Sequence, residues 1–204
     1  MDLGLKDKTV VITGGGSNIG RGIVHAFAAE GAKIIIAELA PDQGEKVRAE
    51  IQSIDPNVQI KVIATDVTDQ NQVESMIEES INTFGHIDCL VNNVGWTVDR
   101  IFLDKPREEY EKEVNVNLWS PINCIHSVLP HMIERQSGSI VSLSSDAGRM
   151  GEYREAVYSA CKGGVIDLSK AIDRAPGRYG YRLHVVCPGL IVQPGEQSMA
   201  MIHI

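Results

Sequence analysis

The sequence predicts an α/β fold, a doubly wound parallel sheet in a single domain spanning residues 1–204. Three observations predict it. Short runs rich in Val and Ile alternate along the chain with longer amphipathic stretches. The runs are mostly continuously apolar, which suits strands buried on both faces, and strand–helix alternation builds a parallel sheet with helices on both sides. A glycine-rich turn, TGGGSNIGRG (13–22), follows the first run and opens the first amphipathic stretch.

The elements follow in order. KTVVI (8–12) reads as the first strand. Ile19, Ile23, Val24 and Phe27 then form an apolar helical stripe that Gly31 ends. KIIIAE (33–38) and VQIKVIA (58–64) are the next two strands. Asp69 is a candidate N-cap for a helix carrying Val73, Met76, Ile77, Ile81 and Phe84 on one face. IDCLVN (87–92), GSIVSLS (138–144) and YRLHVVC (181–187) complete the strands. Pro176-Gly177 should stop the helix before the last of them near Ala175. No linker, repeat or low-complexity segment intervenes.

Composition excludes several classes of function. A net charge of -8 and a pI near 5.2 argue against a nucleic-acid partner, because phosphate binding needs a basic surface. No apolar run approaches membrane-spanning length, and MDLGLKDKTV lacks the regions of a signal peptide. Cys89, Cys124, Cys161 and Cys187 lack close metal spacing, and three of the four lie in apolar stretches. Buried free thiols in a reducing cytoplasm are the expectation, with no metal and no membrane or nucleic-acid partner.

Two features carry chemistry. Glycines in a strand–turn–helix let a backbone approach a pyrophosphate, which the helix N-terminus stabilises with free N–H groups. The second strand ends at Glu38, about twenty residues beyond the turn, where a carboxylate can accept hydrogen bonds from both ribose hydroxyls of NAD and repel the 2′-phosphate of NADP. The second feature is EAVYSACKGG (155–164). At about 100° per residue, Tyr158 and Lys162 stack on one helix face, a phenol beside an ammonium.

Several motifs resemble the short-chain dehydrogenases/reductases. Thr13-Gly14-xxx-Asn18-Ile19-Gly20 is similar to their TGxxxGxG turn, with Asn18 in place of the middle glycine. Asn tolerates a left-handed backbone, so the turn is expected to survive. NNVG (92–95) resembles the NNAG motif, Asn117 the helix asparagine, Ser145 the serine, Tyr158 and Lys162 the YxxxK pair, and CPG (187–189) the Pro-Gly turn. The resemblance covers nearly the whole chain and implies a Rossmann-type fold and NAD-dependent interconversion of a secondary alcohol and a ketone. It also implies a homo-oligomer and a small-molecule substrate.

By the same resemblance, Tyr158 acts as the base, with its pKa lowered by Lys162 and a positive nicotinamide ring. Ser145 holds the substrate oxygen, Lys162 binds the nicotinamide ribose, and Asn117 holds a water that links Lys162 to solvent. Gly14, Ser17, Asn18, Ile19 and Gly20 would cradle the pyrophosphate. Ser17 stands where NADP-preferring relatives often carry a basic residue, which agrees with Glu38. Asp66, Val67, Asn93 and Gly95 would line the adenosine side. Pro188, Gly189 and Ile191 would line the nicotinamide side, with Gln193 in the place of a usual threonine. Asp88 should brace the turn.

NNVGW, SSDAGR and EAVYSACKGG look most like the branch that oxidises alicyclic 2-hydroxyacyl-CoA thioesters. Trp96 could pack or recognise, and Arg149 could read an acidic group or be a solvated charge. Two alternatives stand beside this reading: an NADPH-linked 3-oxoacyl reductase, and a truncated nucleotide-binding protein with little activity. The chain ends at Ile204, before the family's substrate loop, last helix and seventh strand. The expectation is therefore a dimer through the helices starting near Asn117 and Val157, with low turnover.

Overall fold

The computed structural model describes residues 3–174 and 179–191. Its strands are β1 (Thr9–Thr13), β2 (Lys33–Glu38), β3 (Ile60–Ala64), β4 (Cys89–Asn92), β5 (Gly138–Leu143) and β6 (Tyr181–Val186). They form one parallel sheet in the order β3-β2-β1-β4-β5-β6. All six expected strands are present, each within two residues of the expected bounds.

The helices are α1 (Asn18–Ala29), α2 (Pro41–Ile54), α3 (Gln70–Phe84), α4 (Arg107–Val114), α5 (Ser120–Glu134), α6 (Ala147–Met150) and α7 (Ala156–Asp173). Strand alternation splits the core in two. Val10, Ile12, Ile34 and Ile36 pack under Val24 of α1 and Val47 and Ile51 of α2. Val11, Ile35, Leu90 and Ile140 pack under Val73 and Met76 of α3 and Ile125 and Val128 of α5. A fully buried aliphatic side chain contributes about 1.5–3 kcal/mol, so this two-sided burial is the main force holding the layers.

Local signals behave as expected at the ends. The Asp69 carboxylate caps α3, accepting from the amides of Asn71 at 2.9 Å and Gln72 at 3.4 Å. Asp88 braces the entry to the sheet: it accepts from the Thr9 amide at 2.9 Å and from Arg135 at 3.3 Å, beside Lys8 and His86. α7 ends at Asp173; Ala175, Pro176 and Gly177, where a stop was expected, lie outside the described residues, as does Gln193.

A π-helical turn, Asn115–Trp119, joins α4 to α5, closed by the Ser120 amide on the Asn115 carbonyl. Pro121 cannot donate to the carbonyl of Asn117 four residues earlier, which favours the wider turn there. No helix among the described residues is long and apolar enough to cross a membrane.

Candidate active site

The strand order reverses at β1, which lies between β2 and β4, so the carboxyl ends of β1 and β4 open a crevice. The glycine turn forms its floor. The Thr13 hydroxyl accepts from the Asn93 amide at 3.0 Å, and Asn93 Nδ2 donates to the carbonyls of Thr13 and Gly14, each at 3.1 Å. These bonds lock the turn to the end of β4. A Cβ on Gly20 would lie 1.9 Å from the Gly14 carbonyl oxygen, so α1 can close on the turn only with glycine there. Asn18 has φ 47°, the left-handed backbone expected of it. Ser17 is the N-cap of α1 but makes no capping bond with its side chain, so its hydroxyl does not compete for the helix's first amides.

Beside the turn lies a cavity of about 270 Å³ whose walls include Gly14, Ser17, Glu38, Asp66, Val67 and Asn93. Glu38 Oε2 accepts from the Gly16 amide at 2.9 Å and Oε1 from the Ala40 amide at 3.4 Å, which aims the carboxylate at the turn. Asp66 Oδ1 accepts from the amide and hydroxyl of Thr68 at 2.9 and 2.7 Å. Trp96 also lines this cavity, with the Lys112 ammonium 4.0 Å from its ring centroid. It is therefore part of a cavity wall, whereas the sequence left its role open.

The four residues expected to carry chemistry come from three segments. Tyr158 and Lys162 lie on α7, Ser145 follows β5, and Asn117 sits in the π-turn. Ser145 hydrogen-bonds the Tyr158 phenol. Lys162 is 2 % exposed, and its Nζ donates to the Leu143 carbonyl at 2.9 Å and lies 5.6 Å from the Tyr158 ring centroid. Asn117 grips the loop after β4: Oδ1 accepts from the Trp96 amide at 3.0 Å, and Nδ2 donates to the Trp96 carbonyl at 2.6 Å. Asn117 and Lys162 meet at Gly95, where a Cβ would stand 3.2 Å from both Oδ1 and Nζ.

The protein alone does not show the lowering of the Tyr158 pKa that was expected with a positive nicotinamide ring beside it. Burial pushes the phenol up to about 12, against the bond from Ser145, and Glu155 and Glu113 push the same way. Burial also lowers Lys162 to about 8. The Lys162 ammonium lies over the Tyr158 ring, and the protein alone holds Tyr158 as a neutral acid.

Ser145 and Tyr158 open into a second cavity of about 430 Å³. Gly189 and Ile191 line it, and the Pro188 carbonyl accepts from the Asp146 amide at 3.0 Å. Among the described residues, four carboxylates, Asp99, Asp146, Glu152 and Glu155, line this cavity with one cation, Arg154, which is paired to Asp99. Arg149 is 65 % exposed, and its Nη1 lies 3.5 Å from Oδ1 of Asp146, one of these carboxylates. Cys89, Cys124 and Cys161 are buried thiols with pKa pushed up by burial, and no group of side chains fit for a metal exists among the described residues.

A glycine turn at the switch point of a parallel sheet, facing a Ser–Tyr–Lys group across the crevice, defines a dinucleotide-dependent oxidoreductase. The comparisons agree. Residues 8–200 match the family model described as short chain dehydrogenase, and the chain belongs to that family of oxidoreductases acting on CH–OH groups. It is 33% identical over 195 residues to the 3-oxoacyl-acyl-carrier-protein reductase FabG of Thermotoga maritima, covering 96% of this chain and 78% of the relative. It superposes on levodione reductase with a TM-score of 0.87 at 31% identity, covering 91% of this chain and 72% of that one. NAD+-bound xylitol dehydrogenase gives the same TM-score, 0.87, at 27% identity over 91% of this chain and 71% of that one.

Proposed function

We propose that this protein interconverts a secondary alcohol and a ketone with NAD. The observation that carries the reading is Glu38, held by the Gly16 amide in the wall of the cavity beside the glycine turn. A carboxylate there suits two ribose hydroxyls and repels a 2′-phosphate. The residues around it fit a dinucleotide: the Gly20 contact closes α1 on the turn, and the unused Ser17 cap leaves the helix N-terminus to a pyrophosphate. Asp66, Val67, Asn93 and Gly95 flank the adenosine side, and Pro188, Gly189 and Ile191 the nicotinamide side. When bound, NAD supplies the hydride acceptor; binding, orientation and proton transfer fall to the chain.

In oxidation, Ser145 holds the substrate hydroxyl against Tyr158, and the Tyr158 oxygen takes its proton. In reduction the same phenol returns the proton to the ketone oxygen. Lys162 and Asn117, meeting at Gly95, carry that proton between Tyr158 and solvent. The four carboxylates around the second cavity favour a neutral substrate over an anionic one. The likeness to FabG supports a second reading, a 3-oxoacyl reductase, which Glu38 opposes where the hydride comes from NADPH. An alicyclic hydroxyacyl-CoA is a third candidate, whose phosphates would have to remain outside that acidic cavity.

The test follows reduced-nicotinamide absorbance with NAD or NADP over neutral alcohols and hydroxyacyl-CoA thioesters, and with NADH or NADPH over 3-oxoacyl thioesters. Turnover of neutral alcohols with NAD is expected; turnover confined to thioesters with NADPH would replace this reading with the second. The protein is further read as a homo-oligomer through the helices near Asn117 and Val157, where Phe102, Leu103 and Trp119 are exposed. Light scattering tests that assembly, and a monomer would refute it.

A further inference from the structure

Behind the Ser–Tyr–Lys group lies a buried ion pair that the reaction as described does not use. Lys105 and Glu113 have side chains 2% and 0% exposed, with Nζ and Oε1 2.5 Å apart. The same Oε1 accepts from the Thr97 hydroxyl at 3.1 Å and the Val98 amide at 3.3 Å. The main-chain carbonyl of Glu113 accepts from Asn117 Nδ2 at 2.9 Å. The loop after β4 is thus clamped twice: Asn117 holds Trp96, and Glu113 holds Thr97 and Val98. Thr97 is part of the wall of the cavity into which Tyr158 and Ser145 open. An apolar pair of similar volume commonly replaces a buried ion pair without loss of stability, so filling this space does not require charges.

We propose that Lys105 and Glu113 are positioning residues for the reaction, fixing the Thr97–Val98 wall and the Asn117 turn relative to Tyr158. The proposal rests on the reading that Tyr158 exchanges the substrate proton. The pair's charge has a consequence of its own. Tyr158 is raised first by burial, then by Glu155, the N-cap residue of α7, and by Glu113 on α4, against the Ser145 bond, with Lys162 on its own helix. Glu155 is raised in turn by burial, Glu152, Asp99 and Glu113, and lowered by Lys105; Glu113 also raises Cys161. Neutralising Glu113 should therefore lower the pH at which Tyr158 ionises.

Two double variants and one single variant test this. Glu113→Leu with Lys105→Met keeps the volume but loses the bonds to Thr97 and Val98. Glu113→Gln with Lys105→Met loses the charge and keeps an acceptor. The expected result is a fall in kcat/KM of about ten- to hundred-fold in the first and recovery of most of it in the second. Glu113→Gln alone, which removes the negative charge and keeps Lys105, should move the phenolate absorbance, measured against the matching Tyr158→Phe protein, to lower pH. If the leucine variant fails to fold, Glu113→Gln alone still carries the titration. If no alcohol or ketone is turned over by the wild-type protein, the functional reading fails while the phenolate titration still decides the pair. Folded variants with an unmoved Tyr158 titration and wild-type kinetics would overturn the proposal. So would a glutamine double variant that restores nothing.

Discussion

The Gly16 amide donates to Glu38 Oε2 at 2.9 Å, so the phosphate-type turn and the acidic end of β2 form one unit. A Cβ on Gly16 would stand 2.7 Å from that same oxygen, which leaves no room between them for a larger residue. Cofactor preference should follow from this contact. Placing a 2′-phosphate against the carboxylate costs about 1–3 kcal/mol, roughly ten- to hundred-fold in affinity. NAD should bind more tightly than NADP by that factor, and Glu38→Ala should erase most of the difference. Titration of both cofactors into both proteins checks it, and equal dissociation constants in the wild-type chain would refute it.

Tyr158→Phe should remove turnover and leave NAD affinity within a few-fold, because the ring still packs but has no proton to exchange. Lys162→Ala should damage both, since its Nζ stands at Gly95 between the cofactor side and the phenol. A Tyr158→Phe protein with most of its activity would discard the proposed proton path.

Direction should depend on pH. Tyr158, pushed up to about 12 by burial, is protonated throughout the neutral range and is ready to donate to a ketone. Reduction should therefore hold steady near neutrality, while alcohol oxidation, which needs the phenolate, should climb as pH rises. Initial rates in both directions across a pH series decide the matter. Oxidation that falls between neutral and mildly alkaline pH would contradict it.

The sheet and the glycine turn were legible because their causes are local. Strands buried on two faces must be continuously apolar, and a left-handed turn position admits few residues beyond Gly and Asn. Tyr158, Lys162, Ser145 and Asn117 were legible through spacing and resemblance, and the fold brings them to one crevice. The Lys105–Glu113 pair was not. Helix α4, REEYEKEV, carries six charged residues in eight, so Glu113 reads as one more solvated carboxylate until the loop from β4 covers it. The π-turn was equally hidden, since a stripe read at the α-helical period has no signature for it. The high pKa of Tyr158 in the protein alone was not legible because burial is a tertiary property, while the four-residue spacing to Lys162 is local.

Acid stability should fall in two stages, set by His131 and Asp88 at the base of the sheet. His131 Nε2 accepts from the Ile87 amide at 3.2 Å, which requires a neutral ring at that nitrogen. Burial, then Arg135 and His86, lower its pKa from the usual 6.5, with Glu134 and Asp88 opposing. A depressed histidine contributes stability above its unfolded pKa and loses it as pH falls from about 6.5 through the folded value. Asp88 is the acidic counterpart. Burial raises it, but the Thr9 amide, His86, Lys8 and Arg135 together hold it below the usual 3.8. Its contribution is present above 3.8 and is lost only as pH falls through the lower folded value. Urea denaturation across a pH series should therefore show one loss below the usual histidine value and a second in the carboxylate range. His131→Gln should flatten the first and Asp88→Asn the second. Asp88→Ala, which leaves the Thr9 amide without its partner, should cost about 2–3 kcal/mol at neutral pH. Because Asp88 and His131 lie at the opposite end of the strands from the crevice, these losses should leave the cofactor preference unchanged. A wild-type stability that stays flat from neutral pH down to the carboxylate range would refute the His131 stage.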